Sequence, residues 1–313
     1  MTSLAPAQPD QQASGSSPST PDRALVRPGT GRGRAGASFT SRAAVTAVLL
    51  LATLYMLLPV TWLLFASTKS AEQLYGSSIF SVTDFAFFEN VAGIADQSDG
   101  IFFVWMGNSI LYATVGAVAG GLISVAAGYA FDKFRFRGRN KLFAFVLVGV
   151  LVPNTATVLP LYLLFSPLGL TNTAWAILLP ALCNPFSVYL ARIYSQAYIP
   201  DETLEAARVD GAGAVRSFFS VALPMITPGF ITIALFQFVA VWNNYMLPLV
   251  MLTSERLFPV SLGMSLWQGY TRGDPEFAPL VVTGSLLSII PLIIAFILLQ
   301  RYWRAGMTEG AVK

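Results

Sequence analysis

Charge disappears from five stretches of this chain: no Asp, Glu, Lys or Arg occurs in residues 43–68, 101–131, 142–191, 217–254 or 277–300. A helix that crosses a bilayer takes about 20 mostly apolar residues. The 142–191 run is long enough for two such helices, and Pro167-Leu168-Gly169-Leu170-Thr171-Asn172 supplies a turn between them. The pattern therefore predicts six spans, at 43–67, 103–130, 142–165, 173–194, 228–252 and 278–300. The fold class expected is an all-α integral membrane protein. Composition agrees: 55% of the chain is apolar and 11% charged, against about a quarter charged in soluble domains.

The polar remainder falls into unequal pieces. Residues 1–42 are rich in Ser, Pro, Gly, Thr, Ala and Gln and bury too little apolar surface to fold, which predicts a disordered tail. It is too long and too polar ahead of its first apolar run to be a signal peptide, so the first span is expected to stay as an anchor. Residues 68–102 form an acidic loop with aromatics at Tyr75, Phe80, Phe85, Phe87 and Phe88. Such a loop fits either a docking surface or a plain surface loop with interfacial aromatics.

Basic residues flanking spans mark the cytoplasmic side. Of the 19 Lys and Arg, 16 lie in the first tail, the loop after span two, the loop after span four or the last tail. The opposite side keeps Lys69, Arg256 and Arg272 beside eight acids. Both termini are expected in the cytoplasm, in a plasma membrane of bacterial type. The net charge of +3 is thereby explained by topology, without a nucleic-acid partner. One Cys and no His rule out a disulfide framework and argue against zinc or haem. Cys183, in the fourth span, reads as a small packing residue. No span carries an ionisable acid or base, which argues against an ion-coupled relay.

Spans three to six hold Pro153, Pro160, Pro180, Pro185, Pro248 and Pro291, each removing a backbone donor. Polar groups gather beside them: Asn154 and Thr155, Asn184, and Trp242, Asn243, Asn244 and Tyr245. Amides at membrane depth either tie helices together or bind a polar solute. Asn154, Asn184, Trp242, Asn243 and Asn244 are the candidate translocation path on the second reading. In span two, Gly116-x-x-x-Gly120 permits close helix approach.

The segment 200–224 is the charged insert between spans four and five. Asp201 is the expected N-cap of a first helix with acids in its first turn and a modest apolar face at Leu204, Ala207 and Val209. Asp210-Gly211-Ala212-Gly213 breaks it. A second helix over 214–222 places Val215, Phe218, Phe219 and Ala222 at i, i+3, i+4 and i+7, and Leu223-Pro224 ends it. The residues alone fit an interfacial amphipathic helix or a handle for a partner groove.

Glu205-Ala206-Ala207, Asp210-Gly211-Ala212, Phe218, Leu223-Pro224 and Pro228 together resemble the EAA loop of ATP-binding-cassette (ABC) importer permeases. The similarity continues through Asn108-Ser109, Tyr129-Ala130, Phe134-x-Phe136-x-Gly138-Arg139, Pro153 with Pro160-Leu161-Tyr162, and Trp242-Asn243-Asn244-Tyr245-x-Leu247-Pro248-Leu249. The ending Gln300-Arg301-Tyr302 and Gly306-Met307-Thr308-x-Gly310-Ala311-Val312-Lys313 resembles that of the maltose-type second permease subunit. The resemblance covers about residues 43–313. It implies a type I ABC importer (MetI-like) permease fold, with a core at 103–300, a coupling loop at 200–224 and a cytoplasmic tail at 301–313. It further implies uptake of a sugar or oligosaccharide by alternating access, with a homologous second permease, an ABC ATPase dimer, an extracytoplasmic sugar-binding protein and membrane lipid as partners. Glu205, Ala206, Ala207, Asp210, Gly211, Ala212, Phe218, Leu223 and Pro224 are implied at the ATPase interface, Glu205 and Asp210 ordering the loop by hydrogen bonds. The sequence holds no Gly-x-x-x-x-Gly-Lys-[Ser/Thr] phosphate loop, so no cofactor is expected on this chain; ATP and Mg would be used by the ATPase. The alternatives are a permease for another solute, such as glycerol phosphate, a polyol or an amino acid, and a membrane protein with no transport role.

Overall fold

The computed structural model describes residues 39–81 and 84–309. The expectations for residues 1–38, and for the final Gly310-Ala311-Val312-Lys313, lie outside the described residues. Every regular element among those described is helical. In chain order they are α1 (Phe39–Ala66), α2 (Ala71–Gly76), α3 (Phe87–Asp96), α4 (Ile101–Lys133), α5 (Arg139–Leu151), α6 (Asn154–Phe165), α7 (Trp175–Leu182), α8 (Pro185–Tyr198), α9 (Asp201–Val209), α10 (Ala214–Met225), α11 (Thr227–Trp242), α12 (Met246–Met251), α13 (Val260–Tyr270) and α14 (Phe277–Glu309).

Four stretches are long and apolar enough to cross a membrane: Ser41–Ala66, Ile101–Lys133, Trp175–Tyr198 and Phe277–Gln300. The number reaches six if each of two bent helix pairs makes one span. The third expected span is one of these pairs. It is not a kinked helix but two helices, α5 and α6, meeting at 107°. Val152, forced out of the helical region by Pro153, has ψ 122°, and Pro153 itself has ψ 132°. The fifth expected span also differs. α11 is 16 residues long, about 24 Å, and stops at Trp242; Asn243-Asn244-Tyr245 separates it from the short α12. At its other end α11 meets α10 at 81° across Ile226.

Two helices widen into π turns, at Gly116–Gly120 in α4 and Phe218–Ala222 in α10. Such turns insert a residue into the helical register and frequently accompany functional positions.

The chain divides into two units, residues 1–55 and 56–313. In the first, the side chains from 41 to 55 are all exposed. The second is built on two cores. One gathers Phe102, Trp105, Tyr112, Trp242, Met251 and Trp267 with neighbours from α3, α6, α7, α13 and α14. The other gathers Val125, Tyr129, Ala191, Ile199, Leu204, Phe218, Ala222, Ile226 and Ile233. α4 runs through both, and its π turn lies between the two sets. Packing is close where α4 meets α8: a Cβ on Gly128 would lie 2.5 Å from Ala191 Cβ and 2.6 Å from the Arg192 nitrogen. In a bilayer such contacts hold helices by dispersion, since lipid removes most of the hydrophobic driving force between them. Outward side chains such as Leu151, Leu159, Leu163 and Leu298 are exposed and apolar, the surface a lipid solvent requires.

Candidate functional site

The 200–224 segment folds as a helix–turn–helix, as its glycines suggested. α9 ends in a Schellman turn: Ala212 N donates to Ala207 O at 2.9 Å and Gly211 N to Arg208 O at 3.0 Å. Gly211 sits at φ +81°, a conformation that a side chain disfavours by about 1–2 kcal/mol. Because the backbone satisfies its own end groups, nothing is left for the nearby carboxylates. Glu205 and Asp210 are exposed and make no side-chain hydrogen bond among the described residues, contrary to the ordering role expected of them. With Ala206 and Gly211, also exposed, they leave a small polar tip open to contact; Ala207 and Ala212 are half-buried behind it.

The loop is fixed from below by Leu204, Phe218 and Ala222, all buried. Phe218 packs on Tyr129 with ring centroids 5.3 Å apart. It is therefore an internal anchor and not a contact surface. The apolar face expected at Val215, Phe218, Phe219 and Ala222 is split: Phe218 (8% exposed) and Ala222 (0%) point inward, while Val215 (72%) and Phe219 (53%) are exposed. The side turned to the core is that of Ser217, Phe218, Val221 and Ala222, so Val215 and Phe219, one turn apart, lie at its outer edge. Val209, placed on the first helix's apolar face, is also exposed. Leu223 and Pro224 do not end the second helix, which continues to Met225; the break falls at Ile226. A cleft of about 270 Å³ opens beside the turn, lined by Tyr129, Phe134, Leu204, Arg208, Ala212 and Gly213 among others.

Asp201 does not cap α9. Pro200 precedes the helix without a side-chain cap, and Asp201 occupies the first turn, where Lys133 Nζ donates to its Oδ1 at 2.7 Å. The same ammonium lies 3.1 Å from Asp132 Oδ2, and Ser195 Oγ donates to that oxygen at 2.8 Å. The side chains of Asp132 and Lys133 are 10% and 9% exposed, that of Asp201 77%. The hydrogen bond from Lys133, with its charge and those of Arg135 and Arg208, holds the Asp201 carboxyl below its ordinary value. This cluster was not read from the sequence, where Asp132-Lys133 looked like the edge of a basic loop.

The candidate path residues are scattered among local jobs. Asn154 is exposed at the start of α6. Asn184 caps α8, its Oδ1 accepting from Ser187 N at 3.2 Å. Asn243 Nδ2 donates to Val239 O at 2.9 Å, and Asn244 Oδ1 accepts from Leu247 N at 3.4 Å. Trp242 is buried and stacked on Phe238. No hydrogen bond joins any two of these five among the described residues.

A polar junction does exist deep in the bundle, around a residue not singled out before. Gln237 is 1% exposed. Its Nε2 donates to Ala181 O at 2.5 Å, and its Oε1 accepts from Ser187 Oγ at 3.3 Å. α7 ends at Leu182, so the carbonyl of Ala181, in its last turn, has no helical donor; Gln237 supplies one from another helix. Gly120, in the π turn, makes the room: a Cβ there would lie 2.2 Å from Gln237 Nε2. The signal was present, as Gln237 is the one amide inside α11 and a buried amide has to find partners.

One face of α4 performs a second fixation. Trp105, Asn108, Ser109 and Tyr112 stand at i, i+3, i+4 and i+7 and bind the backbone of the 3-10 turn Glu255–Leu257 and of the residues that lead into α13. Trp105 Nε1 donates to Glu255 O, Asn108 Nδ2 to Arg256 O and Phe258 O, and Tyr112 OH to Leu257 O, while Ser109 Oγ accepts from Val260 N. Asn172 Oδ1 accepts from Thr253 N and Ser254 N. The 253–260 segment, a single 3-10 turn at Glu255–Leu257 between extended residues, is thus tied to α4 by side chains.

Apolar broken helices, polar groups turned inward at the breaks and an exposed helix–turn–helix between two of the helices define a membrane permease. The chain belongs to the binding-protein-dependent transport system inner membrane component family, which residues 119–309 match. It is 36% identical to the arabinooligosaccharides transport system permease protein AraQ of Halalkalibacterium halodurans, over 68% of this chain and 75% of that one. It is 32% identical to the lactose transport system permease protein LacG of Rhizobium radiobacter, over 85% of this chain and 94% of that one. Among solved structures it is similar to a chain of a bacterial ABC transporter involved in the import of the acidic polysaccharide alginate, with a TM-score of 0.73 and 27% identity over 85% of this chain and 98% of that one. The permease fold implied by the sequence resemblance is the fold observed.

Proposed function

We propose that the chain is one membrane subunit of an ATP-driven importer for a sugar or oligosaccharide, handed over by an extracytoplasmic binding protein. It would pair with a homologous permease, and two copies of a separate ATPase would use ATP and Mg. The observation that carries the reading is the 200–224 turn. Its exposed tip, Glu205 to Gly211, is offered to a partner while Leu204, Phe218 and Ala222 root it among the spanning helices. A movement imposed on the tip is then delivered to α4, α8 and α11. The names of the relatives favour a carbohydrate solute over glycerol phosphate or an amino acid. Six spans, counting α5–α6 and α10–α11 as one each, with both termini and the 200–224 turn in the cytoplasm, complete the proposal; the basic loops support that orientation.

The test is reconstitution of the chain with its second permease, ATPase and binding protein in liposomes. Labelled oligosaccharide should accumulate only with ATP and the binding protein present. Gly211→Pro, which cannot adopt the positive φ of the turn, should abolish accumulation while the chain remains in the membrane. Uptake unchanged by Gly211→Pro, or a chain that retains no ATPase on purification, overturns the reading.

A further inference from the structure

α8 and α9 are joined only by Ile199 and Pro200, both extended, with ψ 95° and 143°. Pro200 fixes its own φ and Ile199 is buried in the second core, so the freedom left at this joint is rotation about the ψ of each residue. That rotation would re-aim α9 against α8 unless a further contact sets the angle. The apolar contacts beneath the loop resist separation but, being non-directional, tolerate sliding. One directional connection does cross the joint. Lys133, at the end of α4, bonds Asp201 at the start of α9 on one side and Asp132 on the other, and Asp132 takes a hydrogen bond from Ser195 of α8. α4 and α8 are themselves locked by the close approach at Gly128 and Ala191.

The burial of this cluster needs a reason. Asp132 and Lys133 are about nine-tenths buried, and desolvating charge is costly unless pairing is good. Membrane orientation does not demand it, because Arg135, Arg137, Arg139 and Lys141 follow at once and supply the positive flank.

We propose that Lys133, gripped between Asp132 and Asp201, is the positioning residue that sets the angle of α9 against the α4–α8 pair across the Ile199–Pro200 joint, so that the three move together. It acts through the spanning helices and touches neither solute nor nucleotide. The inference rests on the proposed role of the 200–224 turn as the ATPase lever.

The experiment measures sugar transported per ATP hydrolysed in the complete reconstituted transporter. Lys133→Met and Asp201→Asn should each lower that ratio about fivefold or more, the range of ordinary coupling energies, with the complex still co-purifying and still hydrolysing ATP. Lys133→Arg, which keeps a cation between Asp132 and Asp201, should retain most of the ratio. A wild-type ratio in Lys133→Met, or a Lys133→Arg as poor as Lys133→Met, overturns the proposal. Should Lys133→Met fail to assemble, Asp201→Asn alone decides, since that side chain is exposed; its wild-type ratio is the overturning result. Gly211→Pro in parallel separates the two readings. If it uncouples and the Lys133 and Asp201 variants do not, only this inference fails; if it too changes nothing, the lever itself is misassigned.

Discussion

Ala181 and Gln237 illustrate how one unpaired carbonyl ties two helices together. The end of α7 leaves the Ala181 oxygen without a donor, and Gln237 supplies one from α11. Gln237→Leu should therefore cost about 1–3 kcal/mol, the price of a buried acceptor left unpaired. Gly120→Ala should cost a similar amount, about 1–3 kcal/mol by overpacking, because its methyl would meet both Gln237 Nε2 and Ala181 O. Thermal unfolding of the purified protein in detergent measures both; a neutral Gly120→Ala contradicts the packing described. Asp201 gives a pH signature. Its carboxyl is held below the ordinary range by Lys133, so its contribution to stability is present above that range and is lost as pH falls through the lowered value. Wild type and Asp201→Asn should differ in stability at neutral pH and converge in acid. A gap that persists unchanged in acid removes the ion pair as its cause. Residues were the least legible scale from sequence. The conspicuous amides, Asn184, Asn243 and Asn244, turned out to close helix ends, as Asn next to a break usually does. Gln237, Asp132 and Ser195 drew no attention because their partners lie far along the chain.

Elements were legible in position and less so in shape. Apolar runs locate the helices, since a span has to exclude charge. They do not tell a kinked helix from two helices at 107°, because Pro153 is compatible with both until neighbouring packing decides. The π turns were likewise hidden: an apolar helix reads the same at either pitch. The predicted face Val215–Ala222 came out divided because Ser217, a polar residue, lies on the buried side and the pattern of large apolar residues alone centred the face on Val215. The turn at Gly211 was read correctly because one residue carries it. Gly211→Ala should cost about 1–2 kcal/mol in the stability of the 200–224 turn, detected as faster amide hydrogen exchange at 207–212 with the rest of the protein unchanged. Exchange that quickens throughout the chain would instead mean that this turn is no independent element.

At the scale of the whole molecule, the membrane class was visible in composition, while the family entered through the resemblance of the 205–228 and 242–249 motifs to ABC importer permeases; the matched family and relatives agree with both. The proposed orientation makes a direct prediction. In a Cys183→Ser background, Arg137→Cys should react with an impermeant thiol reagent only from the cytoplasmic face, and Glu255→Cys only from the outer face. Both sites labelling from one face would reverse or break the topology. Finally, the Gln237 bond to Ala181 spans 56 residues of chain. A ribosome adding 5–20 residues per second takes about 3–11 s to cover that interval. During it, α7 and α8 have been made but the donor that completes them has not. The half-built protein thus carries an unmet carbonyl into the insertion machinery, so assembly of this permease waits on α11, and a chain truncated before residue 237 should be recognised by membrane quality control as unfinished.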